Sequence, residues 1–342
     1  IENLTGSSHA DKLTGNTKAN IIAGYAGNDA LYGADGNDIL IGGTGADLLY
    51  GGSGSDTASY AGAKASITAS LTKPSINMGD AKGDRYSSIE NLTGSSHADK
   101  LTGNTKANII AGYAGNDALY GADGNDILIG GTGADLLYGG SGSDTASYAG
   151  AKASITASLT KPSINMGDAK GDRYSSIENL TGSSHADKLT GNTKANSLDG
   201  GAGNDILKGL AGNDKLYGGS GNDKLYGGTG ADKLYGGAGA DLFVFTSTKD
   251  STTSSRDMIY DFSQKQGDRI HLSGIDARDA TSKNDAFTFI GEKAFSEKAG
   301  ELRYFHKSGD TFVYGDVDGD GKADFALRLD KTIDLVKGDF IL

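Results

Sequence analysis

An all-β solenoid of short parallel strands, closed at its C-terminal end by a β-rich cap, is the fold this sequence predicts. Three observations carry it. The motif Gly-Gly-x-Gly-x-Asp recurs every nine residues, as in GGTGADLLYGGSGSD at 42–56. One large apolar residue stands at the same place in nearly every repeat. Residues 1–88 return unchanged as 89–176, and 177–196 open a third copy. Identity on that scale implies a recent duplication or engineering, and a repeat architecture is the first hypothesis it raises.

The first array begins at Leu4. Its apolar position falls at Leu4, Leu13, Ile22, Leu31, Leu40 and Leu49, and its acid position at Asp11, Asn20, Asp29, Asp38, Asp47 and Asp56. The second array runs from Leu92 to Thr145 and the third from Leu180 to Leu242. One apolar residue in nine cannot form a helical stripe, which needs three or four per two turns. It suits a very short strand with one side chain pointing inward. The glycines supply a tight turn, because glycine reaches positive φ freely and lets backbones approach closely. Two nonamers then make one coil of strand, turn, strand and turn, and successive coils stack about 4.8 Å apart.

Stacking puts residues 18 apart above one another. Asp29 comes beside Asp47 and Asp38 beside Asp56, while Asp47 and Asp56 lie on opposite edges. In the third array Asp205, Asp223 and Asp241 form one row, and Asp214 and Asp232 the other. Rows of like charge require a cation, and carboxylates with turn carbonyls are hard oxygen donors. Ca2+ takes six to eight oxygens at about 2.3–2.6 Å in irregular geometry, whereas Mg2+ demands a tighter octahedron. Transition metals favour His or Cys, and the turns offer only His9, His97 and His185. A flexible linker or a metal-free solenoid is the competing reading. Against it, the acidic rows oppose stacking, and the sparse apolar content cannot offset the ordering entropy. The first two nonamers of each block are degenerate: His9 and Lys18 replace a glycine and Asn20 the Asp. They are expected to keep the coil's shape without binding strongly. Asp56, with no complete turn after it in its block, is expected to have a weak or open outer side.

Uninterrupted arrays of this motif at 4–57, 92–145 and 180–242 resemble the RTX (repeats-in-toxin, hemolysin-type) family. The resemblance implies a parallel β-roll with several Ca2+ ions, each held by an Asp carboxylate and turn-glycine carbonyls. Carried onto the first array, the ligands are Gly24, Gly27 and Asp29, then Gly33, Gly36 and Asp38, then Gly42, Gly43, Gly45 and Asp47, then Gly51, Gly52, Gly54 and Asp56. In the second they are Gly112, Gly115 and Asp117, Gly121, Gly124 and Asp126, Gly130, Gly131, Gly133 and Asp135, and Gly139, Gly140, Gly142 and Asp144. The third supplies Gly200, Gly201, Gly203 and Asp205, Gly209, Gly212 and Asp214, and Gly218, Gly219, Gly221 and Asp223. It continues with Gly227, Gly228, Gly230 and Asp232, and with Gly236, Gly237, Gly239 and Asp241.

The repeats divide the chain into arrays at 1–57, 89–145 and 177–242, spacers at 58–88 and 146–176, and a C-terminal domain at 243–342. In the spacers, Ile67, Ala69 and Leu71 alternate as in a half-buried strand. Pro74 marks a break, Ile89 and Leu92 point inward, and GDAKGD at 79–84 reads as a solvated turn or a further ion site. All ten Phe, but only nine of the 55 Gly, lie beyond residue 242, so the last hundred residues read as an ordinary globular domain. FVF, DMIYDF, DRIHL, AFTFI, ELRYF, TFVYG, DFALRL and FIL read there as short strands. An open solenoid end needs such a cap. This region resembles the C-terminal domain of serralysin-type metalloproteases, which implies a cap carrying an uncleaved type I secretion signal. DVDGDGKAD places Asp316, Asp318, Asp320 and Asp324 as a second calcium loop or as a hairpin turn; Leu327 stands where an EF-hand needs Glu.

Composition narrows the function. The net charge is −12, and only six of the 44 acidic residues are Glu, a bias towards the short carboxylate of turns and hard-cation sites. The balance opposes nucleic-acid binding. No Cys is present, which removes disulfides and thiolate chemistry. No apolar run approaches the ~18 residues of a membrane span. The chain begins at Ile1 without Met or a signal-peptide pattern and reads as the C-terminal part of a longer protein. No catalytic residue and no organic cofactor site emerges: HExxH and GxSxG are absent, and His271 and His306 stand alone in strand-like segments. The expectation is a secreted calcium-binding module, not itself an enzyme, that folds on Ca2+ after passing the type I secretion machinery. A self-assembling surface protein of the S-layer or biofilm kind is one alternative. The tail of a secreted hydrolase or polysaccharide-modifying enzyme, with repeats that contact polysaccharide, is the other.

Overall fold

The computed structural model describes residues 2–279 and 283–342. Among them the elements are short strands and five 3-10 turns. Among the described residues no helix is long and apolar enough to cross a membrane. The chain packs as two units. One runs to Gly150 and includes Lys161–Asn179; the other comprises Ala151–Thr160 and Leu180–Leu342.

In the first unit the 18-residue coil is realised. Strand Ile21–Ala26 pairs in parallel with Ile39–Thr44, Ile22 opposite Leu40. Across the coil Ala30–Asp35 pairs with Leu48–Ser53, Leu31 opposite Leu49. The second block repeats this, with Ile110 opposite Leu128 and Leu119 opposite Leu137. Each of these apolar residues is completely buried, so the core is a narrow column with one aliphatic side chain per nonamer. The turns close because their glycines accept what no side chain can. Gly45 sits at φ 145°, and a methyl group there would lie 1.6 Å from the Gly27 carbonyl oxygen of the coil beneath. Tyr25, Ala34 and Leu210 occupy the second-glycine position with φ of 78°, 82° and 85°. Such backbone costs a non-glycine residue about 1–3 kcal/mol.

The spacer belongs to the roll. Thr57–Ser59 stacks between Ile39–Thr44 and Asn91–Thr93, so one row passes through the block boundary unbroken. The opposite row takes two spacer strands: Arg85–Ser87 pairs with Leu48–Ser53, and Thr68–Ser70 with Lys100–Thr102. Ile67 and Ala69 are buried, but Leu71 is only half-buried because the strand stops at Ser70. Pro74 opens a 3-10 turn, Pro74–Ile76. A buried hydrogen-bond chain locks the insert. Asn77 Nδ2 donates to the Tyr86 hydroxyl at 3.1 Å, the Tyr86 and Tyr60 hydroxyls meet, and Tyr60 donates to Asp84 Oδ2 at 2.7 Å.

In the second unit the last array continues directly into the C-terminal domain. Leu225 stacks on Phe243, Phe243 on Ile270 and Ile270 on Phe340, which makes the terminal Phe340–Ile341 the outermost strand of that row. In the other row Leu234 stacks on Ile259, and Asp257–Ile259 pairs with Phe325–Leu329. From there the sheet turns antiparallel through Asp310–Asp316 and Glu301–Lys307. Phe243, Phe245, Phe262 and Phe325 replace leucine as the buried anchors, so the column widens into a conventional core.

Candidate metal centre

The geometry turns on what each Asp does with its two oxygens. In every complete turn Oδ1 accepts the backbone N–H of the acid position 18 residues earlier. Asp29 N–H donates to Asp47 Oδ1 at 2.8 Å, Asp38 N–H to Asp56 at 2.8 Å, Asp117 N–H to Asp135 at 2.8 Å and Asp205 N–H to Asp223 at 2.7 Å. Oδ2 is left over. In Asp29, Asp38, Asp47, Asp56, Asp117, Asp126, Asp135, Asp144, Asp205, Asp214, Asp223, Asp232 and Asp241 it is buried without a hydrogen-bond partner. A native fold does not leave a row of carboxylate oxygens dry and unpaired.

Each orphan oxygen faces a glycine-lined cradle. A methyl on Gly42 would lie 2.3 Å from Asp47 Oδ2, and one on Gly24 would lie 2.2 Å from Asp29 Oδ2 and 2.9 Å from the Gly42 carbonyl oxygen. Gly42 has no left-handed φ, so this glycine is required for space and the later ones for conformation. Carboxylate and carbonyl oxygens meeting in one dry space are a hard-cation donor set.

Burial raises the carboxyl pKa of several of these acids, and in the four that follow a neighbouring acid of the same row adds to the effect. Asp47 is pushed up to about 6 by burial and Asp29, and Asp205 to about 7 by burial with Asp223 and Asp187. Asp117 and Asp241 rise to about 7 in the same way.

The degenerate turns differ in kind. Asp99 Oδ2 accepts the Ser95 N–H at 2.5 Å, and Asp11 Oδ2 accepts both the N–H and hydroxyl of Ser7 at 2.6 and 2.9 Å. Asn20 Oδ1 accepts the Asn16 N–H at 2.7 Å. These turns satisfy their own acid position with protein groups.

Six acids missing from the repeat pattern extend the ladder. Asp84 Oδ1 accepts the Asp47 N–H at 2.9 Å, and Glu90 Oε2 that of Asp56 at 3.1 Å. Asp172 and Glu178 repeat this in the second block, at 2.9 and 3.1 Å. In the second unit Asp257 serves Asp232 at 2.9 Å and Asp268 serves Asp241 at 3.0 Å. Asp56 is therefore covered on its outer side by Glu90, and GDAKGD ends in a ladder residue, a role outside both the solvated-turn and the ion-site reading. The signal was present in Asp84-Arg-Tyr86, Asp257-Met-Ile259 and Asp268-Arg-Ile270, which share the Asp-x-apolar step of Asp47-Leu-Leu49 without its glycines. Asp257 Oδ2 is also buried and unpartnered, whereas Asp84 Oδ2 is held by Tyr60.

DVDGDGKAD forms the turn of the hairpin between Asp310–Asp316 and Phe325–Leu329. Carboxylate oxygens of Asp316, Asp318 and Asp324 lie within 4.8 Å of one another. Asp320 is outside this group, since its Oδ2 takes the Lys322 ammonium at 2.7 Å. Asp316 oxygens also accept the Gly319 and Gly321 N–H groups at 2.6 and 2.9 Å, as a tight turn requires.

Family models match both parts of the chain. The RTX calcium-binding nonapeptide repeat matches in four copies, at 5–40, 32–59, 93–128 and 120–147, and the peptidase M10 serralysin C-terminal model matches 173–342. It is an RTX protein with a serralysin-type C-terminal domain. The RTX repeats bind calcium, and this protein binds multiple Ca2+ ions. It is a calcium-binding RTX module of a secreted protein. Among solved structures, the AlgE6R3 subunit of the Azotobacter vinelandii mannuronan C5-epimerase is 26% identical, with 43% of this chain and 71% of that chain covered and a TM-score of 0.21. The AlgE6R2 subunit of the same epimerase is 23% identical, with 49% and 94% covered and a TM-score of 0.26. No curated protein matches the chain.

Proposed function

We propose that this RTX module is unfolded where Ca2+ is scarce and folds when it meets extracellular Ca2+, after leaving the cell through the type I secretion machinery by way of its C-terminal domain. The observation that carries the reading is the row of buried, unpartnered Oδ2 atoms. It marks a fold that its own side chains do not complete. Ca2+ is bound by Asp47 together with the carbonyls of its glycine turn, and likewise down each array. Binding free energy then becomes folding free energy. The hydrodynamic radius, measured at sub-micromolar and at millimolar Ca2+, tests it. The expected change is from an expanded to a compact chain, and equal compactness at both concentrations would overturn the reading.

A second reading, contact with an acidic polysaccharide, is favoured by the outer faces of the strands. Tyr217, Tyr235 and Tyr260 stack at 4.7 and 4.5 Å between ring centroids. Lys12, Lys100 and Lys208 lie over Tyr32, Tyr120 and Tyr226 at 5.4, 5.3 and 5.2 Å. Aromatic faces beside ammonium groups suit sugar rings that carry carboxylates. Electrophoresis of the Ca2+-loaded chain through gels containing an acidic polysaccharide should show retardation that Tyr235→Ala weakens. Unchanged mobility of the wild type would remove this reading.

A further inference from the structure

Outside the calcium arrays, three side chains from separate segments of the C-terminal domain converge. Glu292 follows the strand Thr288–Gly291, His306 lies in Glu301–Lys307, and Asp334 lies beyond Phe325–Leu329. His306 Nε2 is 3.1 Å from Asp334 Oδ1 and 3.7 Å from Glu292 Oε1. One atom from each lies within 4.8 Å of the others.

The other ring nitrogen decides how to read this. His306 Nδ1 is 3.2 Å from Thr311 Oγ1, and Thr311 is completely buried. That hydroxyl is already committed: it donates to the Lys331 carbonyl at 2.7 Å and accepts the Ile333 N–H at 2.8 Å. Its single proton is used, and only a lone pair is left for the histidine. The arrangement that satisfies all three groups has Nδ1 as the donor to Thr311 Oγ1. Nε2 then points at two carboxylates. Three electron-rich atoms face one another and require something positive between them.

A divalent metal ion supplies that positive charge, with Nε2 as its nitrogen ligand. Ca2+ prefers an all-oxygen shell. One imidazole with two carboxylates suits a borderline cation such as Zn2+. Anchoring the second ring nitrogen on a buried group is also how proteins fix the metal-binding tautomer. Tyr304 packs edge-on against the ring at 5.5 Å and restrains its rotation. Among the described residues, His306 is the one basic side chain within 4 Å of the Glu292 and Asp334 carboxylates. Both carboxylates are largely exposed, at 61% and 90%, which leaves room for water ligands beside them.

We propose that Glu292, His306 and Asp334 form a binding site for one borderline divalent cation of the Zn2+ class, separate from the calcium arrays. Such an ion would tie the loop at 292 and the segment at 334 to the central hairpin of the cap. Titration calorimetry with ZnCl2 on the full chain, in excess Ca2+ so that the arrays are saturated, tests it. One saturable equivalent is expected. It should be lost in His306→Gln and weakened in Glu292→Gln, whose exposed side chain makes the change harmless to folding. Thr311→Ser, which keeps the hydroxyl, should retain the equivalent, and Thr311→Val should weaken it roughly 10–100-fold. Circular dichroism of each variant in Ca2+ reads the fold separately. Absence of saturable binding to the wild type would leave only side-chain contacts among His306, Glu292 and Asp334 and overturn the proposal. Binding that survives in both His306→Gln and Glu292→Gln would overturn it too, by assigning the ion to another group such as His9, His97, His185 or His271.

Discussion

A chelator at pH 7.5 should abolish most of the β circular-dichroism signal of the arrays, and acidifying the metal-free chain towards pH 4 should restore part of it. The first half follows from the orphan oxygens. With Ca2+ absent, each complete turn buries a carboxylate oxygen with no partner, and the acids of one row stand at coil spacing. The second half follows from the direction of the pKa shifts. Burial raises Asp47 to about 6 and Asp117, Asp205, Asp232 and Asp241 to about 7, above the unfolded value near 3.8. A group whose folded pKa is raised favours the fold when protonated. Its contribution is fully present below the unfolded pKa and is lost as pH rises through the folded one. The metal-free fold is therefore most stable near pH 4 and loses stability between there and about pH 7. With Ca2+ present the dependence inverts, because protons and Ca2+ compete for the same oxygens. Ca2+-dependent stability should fall as pH drops below about 6. Metal-free β content that is flat from pH 4 to pH 7.5 would show that the carboxylates are not what opposes stacking.

The sequence made the coil legible because period and chemistry coincide there. An apolar residue every nine positions has one geometric solution, and Ile22, Leu40, Leu31 and Leu49 stack as the spacing requires. The individual oxygens were not legible. A motif names Asp47 but does not say that one oxygen is consumed by the ladder and the other left bare. The spacer was half legible. Ile67, Ala69, Ile89 and Leu92 marked the inward face, yet the ladder roles of Asp84, Glu90, Asp172, Glu178, Asp257 and Asp268 were not legible because no glycine run precedes them. Their roles depend on register between residues 25 to 37 apart, set by inserts whose lengths obey no period. The cluster of Glu292, His306 and Asp334 is a further case: His306 reads as isolated along the chain because its partners come from segments 14 and 28 residues away.

The glycines of one turn should separate into two classes under mutation, and Gly45→Ala should be among the most damaging single changes in the chain. At Gly45 the new methyl meets the Gly27 carbonyl oxygen at 1.6 Å, and φ is 145°, a conformation that side-chain-bearing residues rarely adopt. Neither conflict can relax, because the carbonyl belongs to the backbone of the stacked coil. Strain at such a φ costs about 1–3 kcal/mol, and the steric term comes on top. A loss above roughly 3 kcal/mol in denaturant stability, measured in saturating Ca2+, is expected. At Gly42 the backbone is ordinary, and the methyl is directed at Asp47 Oδ2, 2.3 Å away. That substitution fills the cradle while the turn itself keeps its backbone conformation. Gly42→Ala should therefore weaken Ca2+ binding and cost one ion of stoichiometry, with a smaller loss of stability once Ca2+ saturates the remaining turns. Gly62→Ala is the control, since no atom beyond its own chain neighbours lies within 4 Å of its added methyl. Equal effects of Gly42→Ala and Gly45→Ala on stability in saturating Ca2+, with unchanged ion stoichiometry, would mean that the first glycine serves the backbone alone. The orphan oxygens would then have to be satisfied from another side of the turn.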